Sequence, residues 1–250
     1  MSELDDAVAR NRRGQLVGLG FLAAVILVAV LIGSGAFSGD DPAKKAKVVD
    51  GVRGPEETAK LLRGIPQNGL VLGRPDAPAT VVEFVDVKCP FCKNFALKDG
   101  PDVIEDLVRT GRANLELRVL DNLGRSSGDG RTAIHAAAEK NQAWTLSELL
   151  YYNQKSEGEE WVTPALLQRM NRVAPEFRGL TLSTTRTPET ERLDAQTDAL
   201  AKELDFGGKT PTIYVRPRGR TDKGAYRKVD LKGTGSKADK IADAVAKVDG

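Results

Sequence analysis

The sequence predicts an α/β domain: strand–helix–strand, an inserted all-helical domain, then a strand hairpin and a closing helix, all preceded by a single transmembrane helix. Three observations predict it. An uncharged apolar run lies near the N-terminus, two strand-like segments bracket a helix that opens on the chain's only two cysteines, and residues 131–204 carry helical periodicity with no strand among them.

Bulk composition sets the class. With 40% hydrophobic and 29% charged residues in 250, the chain can fill one globular core with appendages. The net charge of +2 gives no reason to expect nucleic acid or a strongly acidic partner. From Gly14 to Gly39 there is no charge, and "LVGLGFLAAVILVAVLIGSGAF", Leu16 to Phe37, is long enough to cross a bilayer, since roughly twenty apolar residues suffice. Arg10, Arg12 and Arg13 precede it and Asp40 and Asp41 follow, so residues 1–14 are expected in the cytoplasm, 15–37 as the anchor and the rest outside. A cleaved signal peptide is the competing reading, but its core is shorter and "GSGAFSG" is a loose cleavage match. No cysteine follows the run, which excludes a lipidated bacterial anchor.

Residues 38–68 read as a tether ending in a short helix, "GPEETAKLLRGIP", with Pro55 in its first turn, Glu56 and Glu57 on its dipole and Pro66 stopping it. "GRPDAP" is a turn. In residues 69–120, "ATVVEFVDV" is a buried strand that runs into Cys89, and Pro90 opens a helix. Gly100-Pro101 is expected to kink or interrupt that helix, and "ANLELRVL", with Leu115, Leu117 and Val119 on one face, is the next strand. Residues 121–204 form the insertion. "RTAIHAAAEKNQAWTLSELLYYNQ" is helical, divisible into two pieces, and Thr163-Pro164 and Thr187-Pro188 open two further helices as N-cap and first residue. In residues 205–250, "TPTIYV" and "AYRKVDL" form a hairpin and "SKADKIADAVAKV" an amphipathic helix with Ile241, Val245 and Val248 on one stripe.

Two cysteines two residues apart have three readings: a redox pair, half of a metal site, or a staple. A loop this small staples little of a domain this size. Two cysteines and one histidine fall short of the four ligands usual for structural zinc, and copper(I) on two thiolates is the remaining metal alternative. An extracytoplasmic location, where disulfides persist, favours a pair made to exchange.

The order of these parts carries a resemblance. "LGRPDAPATVVEFVDVKCPFC", the later "KTPTIYV", and "NQAWTLSELLYYNQ" and "EEWVTPALL" between them resemble the thioredoxin fold with inserted helical domain of DsbA-type disulfide oxidoreductases, from about Leu70 to the C-terminus. The resemblance implies a catalytic pair at Cys89 and Cys92, a cis proline at Pro211 lying against it, and a buried acid at Glu83, able to exchange a proton with Cys92. The backbone of Thr210 would then bond an extended substrate peptide. It implies newly exported or unfolded cysteine-containing proteins as substrates, a membrane quinone-linked thiol oxidase as the regenerating partner, and no cofactor or metal.

The residues support the roles independently. Cys89 sits at a helix N-terminus, where free N–H groups and the dipole stabilise a thiolate. Cys92 lies one turn on along the same edge. Cys89 is therefore read as the nucleophile and Cys92 as the buried resolving thiol. Pro90 restricts the backbone between them and Phe91 offers no polar hydrogen. In the family the chain resembles, the strongest oxidants have a histidine there, with a thiol pKa of about 3.5 and a potential of about −120 mV, so the resemblance implies an oxidant of intermediate strength here. Lys88 and Lys93 are read as solvated, His135 as a packed or surface residue with no acid partner evident, Trp144, Tyr151, Tyr152 and Trp161 as packing of the insertion, and the basic hairpin "RPRGRTDKGAYRK" as a solvated turn. The alternatives are a reductase or isomerase of the same fold, or a chaperone-like peptide-binding module.

Overall fold

The structure, a computed structural model, describes residues 41–248. The expected span 15–37 lies outside them, and among the described residues no helix is long and apolar enough to cross a membrane. Strand β5 (Ala79–Val85) is the centre of the fold, and every one of its residues is buried. A strand rich in β-branched residues and apolar on both faces can satisfy both only between two layers. It pairs in parallel with β6 (Ala113–Val119) and antiparallel with β7 (Thr212–Pro217). The pairs β3 (Gln67–Asn68) with β4 (Val71–Leu72) and β7 with β8 (Arg227–Lys228) extend the sheet to the order β3-β4-β6-β5-β7-β8. A separate hairpin joins β1 (Val48–Val49) to β2 (Val52–Arg53).

Alternation divides β5 between two clusters. Ala79, Val81 and Val85 join Leu115, Leu117, Val119, Ile213 and Val215 in the main core, while Val82 and Phe84 face Leu120, Leu200 and Tyr214. Each such side chain, fully buried, contributes about 1.5–3 kcal/mol. Helix Pro188–Glu203 covers the second face. Helix Ala143–Tyr152, the terminal helix Lys237–Ala246 and the helix after Cys89 supply the first. The terminal helix opens on Ser236, whose Oγ accepts from Asp239 N, and buries Ile241 and Val245.

The helix after Cys89 keeps helical backbone across Gly100-Pro101, with π turns on either side. Gly100-Pro101 does not interrupt it: helical backbone runs through residues 90–108, as Pro90–Asn94, a π turn Phe95–Asp99, Gly100–Val103 and a second π turn Ile104–Val108. Pro101 has no N–H to offer Leu97, and its ring would crowd that carbonyl in an α turn. Widening absorbs both problems, because Gly100 N–H reaches back five residues to Phe95 O, as Arg109 N–H does to Ile104 O.

The insertion's first helix, Arg125–Ala138, starts six residues before the expected Arg131. Gly128 and Gly130 disguise it. Gly130 is there for packing: a Cβ would stand 2.5 Å from Val87 Cγ2. Helix Ala143–Tyr152 follows a break at Asn141, whose φ is 59°. Thr163 and Thr187 cap Pro164–Val173 and Pro188–Glu203 as expected. Leu166 N donates to Thr163 Oγ1 (3.2 Å), and Thr187 and Thr190 exchange side chain-to-backbone bonds in a capping box. The short helix Pro55–Leu62 likewise forms, opening on Gly54 at φ 81°.

Candidate active site

The end of β5 delivers the cysteines. Between strand and helix the chain is clamped twice. Buried Asp86 accepts from Lys88 N (2.8 Å) and Asn122 N (3.0 Å), and from the hydroxyl of Ser127 (2.5 Å), while its carbonyl accepts from Cys89 N (3.1 Å). Gln154, at the end of helix Ala143–Tyr152, donates to the carbonyls of Val87 (2.7 Å) and Cys89 (3.0 Å). The loop that aims Cys89 is thus held by the strand on one side and the insertion on the other. Asp86 stands beside the motif in sequence, and an acid before a turn is a legible signal for bonding the backbone two residues on. Gln154 had no local signal, because its partners lie 65 and 67 residues away.

Cys89 is the N-cap residue of the helix and Pro90 its first residue. Both cysteines are thiols and both are buried. Phe91, between them, is 71% exposed, the most exposed large apolar side chain among the described residues. The Thr210–Pro211 peptide is cis, and Cys89 Sγ lies 3.2 Å from Thr210 O, donating to it as the thiol. Cys89, Cys92, Thr210 and Pro211 therefore come together at one end of the sheet.

The two sulfurs differ electrostatically. The Cys92 thiol bonding to Cys89 lowers the Cys89 pKa from 9.0 to about 6 against the opposing effect of burial, with the Thr210 hydroxyl and the backbone N–H groups of Cys92 and Phe91 adding to the lowering. Burial, chiefly, pushes Cys92 well above 9.0. At pH 7 a thiol of pKa about 6 is about nine-tenths thiolate, against about one-hundredth for an ordinary one. The dithiol fold gains stability from this thiolate, fully present above pH 9.0 and lost as pH falls through about 6. Titrating the reduced protein by thiolate ultraviolet absorbance is expected to show one midpoint near pH 6 and no second one below pH 9. A single midpoint near the ordinary thiol value would contradict this electrostatic picture.

Glu83 is buried beneath the pair, and desolvation raises it to about 8. It shares a small cavity with Cys92, Ser147, Glu148 and Tyr151. Glu148 and Tyr151 come from the insertion, and sequence reading assigned no chemistry to either. Two expectations are corrected. Lys88 is not solvated: its side chain is 3% exposed, and its ammonium lies 2.9 Å from Glu160 Oε1. Glu160 also accepts from Ser126 N–H, and its pKa falls to about 2, first through Lys88. His135 is fully buried and does have an acid partner, Asp194, whose Oδ1 lies 2.8 Å from His135 Nδ1 and 2.9 Å from Arg131 Nε.

A cysteine pair at a strand-to-helix junction, with a thiolate-forming outer sulfur, a buried inner thiol and a cis-proline loop opposite, defines a DsbA-like thiol–disulfide oxidoreductase. The chain belongs to the thioredoxin family: residues 66–227 match the family described as Thioredoxin. It is 36% identical over 160 residues to disulfide bond formation protein D of Bacillus subtilis (strain 168), covering 59% of this chain and 68% of that protein. It is 30% identical over 151 residues to a probable disulfide bond formation protein D of Bacillus anthracis, covering 58% and 68%. The crystal structure of Wolbachia pipientis alpha-DsbA1 shares the fold, with a TM-score of 0.54 at 14% identity over 75% of this chain and 92% of that one.

Proposed function

We propose that this protein donates its Cys89–Cys92 disulfide to cysteine-containing proteins on the outer side of the cytoplasmic membrane. The observation that carries the reading is the contrast between the sulfurs. A lowered Cys89 pKa stabilises the dithiol form, and a stabilised dithiol makes its disulfide a better oxidant. The name of the Bacillus subtilis relative, disulfide bond formation protein D, supports the same direction.

The geometry supports the following steps. A substrate thiolate attacks Cys89 Sγ, a new S–S bond forms, and the Cys89–Cys92 bond breaks with its electron pair going to Cys92. Cys92, whose environment disfavours charge, takes a proton from Glu83. The substrate's second thiolate then attacks its own sulfur in the mixed disulfide, and Cys89 leaves as the thiolate its surroundings favour. The substrate has lost two electrons and the chain has gained them. The substrate lies extended along Thr210 and Pro211. Pro90 and exposed Phe91 shape the approach and, lacking a polar hydrogen at position 91, leave the protein an oxidant of intermediate strength. A membrane quinone-linked thiol oxidase takes the electrons back. Residues 15–37 tether the enzyme, with Arg10, Arg12 and Arg13 on the cytoplasmic side.

The testing experiment mixes the oxidised full-length chain with a reduced, unfolded client protein. Client disulfides should form in step with two new thiols per chain, and a chain that remains oxidised would contradict the proposal.

A further inference from the structure

The cavity under Cys92 holds more chemistry than one acid accounts for. It measures about 10 Å³, the room of about one water molecule. Around it stand Glu83 from β5, Cys92 from the active-site helix, and Ser147, Glu148 and Tyr151 from helix Ala143–Tyr152, closed in by apolar side chains such as Phe95, Leu117 and Trp144. Glu148 is 3% exposed and its Oε2 has no hydrogen-bond partner, and neither has the hydroxyl of Tyr151, which is 2% exposed. Two buried, unpartnered polar atoms on residues that line one water-sized space are costly unless they serve something.

We propose that Glu148 is a second carboxyl of the active site, a positioning residue that works with Glu83, across a water in this cavity, as a joint proton store for Cys92. This rests on the reading of Cys92 as the inner sulfur of an exchanging pair. When the Cys89–Cys92 bond breaks, Cys92 leaves with the electron pair and receives a proton from Glu83. Glu83 is replenished from Glu148 through the water and the Tyr151 hydroxyl, and the single negative charge left behind is spread over two carboxyls. Reoxidation returns the proton by the same route. Solvent refills or drains the store more slowly, because apolar side chains such as Phe95, Leu117 and Trp144 make up most of the cavity lining.

Among the described residues, no cation acts on either carboxyl. Burial raises both carboxyls to about 8, and the charge of Glu83 adds to the rise at Glu148. The ionisable groups that act beside them on Tyr151 and Tyr152 are Cys92, Asp86 and Glu57, which are acids as well. At neutral pH both carboxyls are therefore protonated, which is what a store for a departing thiolate requires.

The test is infrared difference spectroscopy of the full-length protein, disulfide minus dithiol, across pH 6 to 10. Two protonated-carboxyl bands are expected in the wild type. Both should shift when the disulfide is reduced, and they should titrate in two steps. Glu148→Gln should remove one band and one step, and slow reduction of the disulfide by a small dithiol about tenfold at neutral pH. Glu83→Gln should remove the other. A single redox-sensitive band in the wild type overturns the proposal without reference to any variant, so a variant that failed to fold would not shield it. A Glu148→Gln spectrum unchanged from wild type also overturns it. Protonation of Cys92 accompanies reduction of the disulfide whichever way electrons flow. A chain that proved to be a net reductase would thus refute the donor reading while leaving these bands in place.

Discussion

Cys89→Ser is expected to reduce disulfide transfer to the uncatalysed background, a loss on the order of 10³-fold or more, because a chain left with Cys92 alone has no disulfide to donate. The structure makes the companion variant informative. Cys92→Ser keeps Cys89 but removes the inner sulfur, so a mixed disulfide with the client cannot be resolved from within the chain. Non-reducing electrophoresis with a client that carries a disulfide should then show a covalent adduct in Cys92→Ser, formed as the Cys89 thiolate attacks the client S–S bond and one client thiolate leaves, and none in Cys89→Ser. The reverse pattern would exchange the roles of the two sulfurs. Equal adducts from both would mean that burial of Cys92, only 1% exposed, does not protect it. A peptide-binding module without exchange chemistry would keep its client affinity in both variants and form no adduct.

Phe84→Ala is expected to have the largest effect on stability, about 3–5 kcal/mol. The ring is fully buried on the face of β5 opposite Glu83, stacked on Phe206 at 5.1 Å between centroids and edge-on to Tyr214 at 5.9 Å. It is the centre of the smaller cluster with Leu120, Leu200 and Tyr214 that fastens helix Pro188–Glu203 to the sheet. Against a net stability of about 5–15 kcal/mol for a domain, that loss should move the urea midpoint far down with an unchanged slope. A shift worth under about 1 kcal/mol would mean that this helix contributes little to holding the second face. The redox pair should be affected only through unfolding, since Phe84 points away from it.

What could be read from the sequence was what is local. The cysteine pair, the proline after Cys89, and the threonine caps of helices Pro164–Val173 and Pro188–Glu203 act over three or four residues, and their signals lie within the same span. The strand at Ala79–Val85 announced itself by β-branched density. Where two local rules conflicted, the structure chose by packing. Gly100-Pro101 was absorbed by π turns, because the helix on both sides has buried positions such as Phe95, Leu97, Val103 and Ile104 to satisfy. Gly130 reads as a helix breaker in isolation, yet it is the residue that lets the insertion approach Val87.

The parts that were not legible are contacts between distant segments. Lys88 reads as a surface lysine until Glu160 arrives from 72 residues away. His135 lacks a partner until helix Pro188–Glu203 brings Asp194. Gln154 and Glu148 lie in a stretch whose periodicity announces only packing, yet one holds the active-site loop and the other shares the cavity under Cys92. The helical insertion is thus part of the active site's own support. Its removal is expected to disturb Cys89 as well as whatever the insertion binds.

The Cys89–Cys92 disulfide is expected to be unstable relative to its dithiol, and its reduction potential measures this directly. The full-length protein would be equilibrated in graded glutathione buffers at pH 7 and the fraction of dithiol read at each ratio. A potential clearly above that of the glutathione couple is expected, and below that of the strongest oxidants of the class, which lie at about −120 mV. A potential near that of thioredoxin, about −270 mV, would contradict it and make the chain a source of electrons.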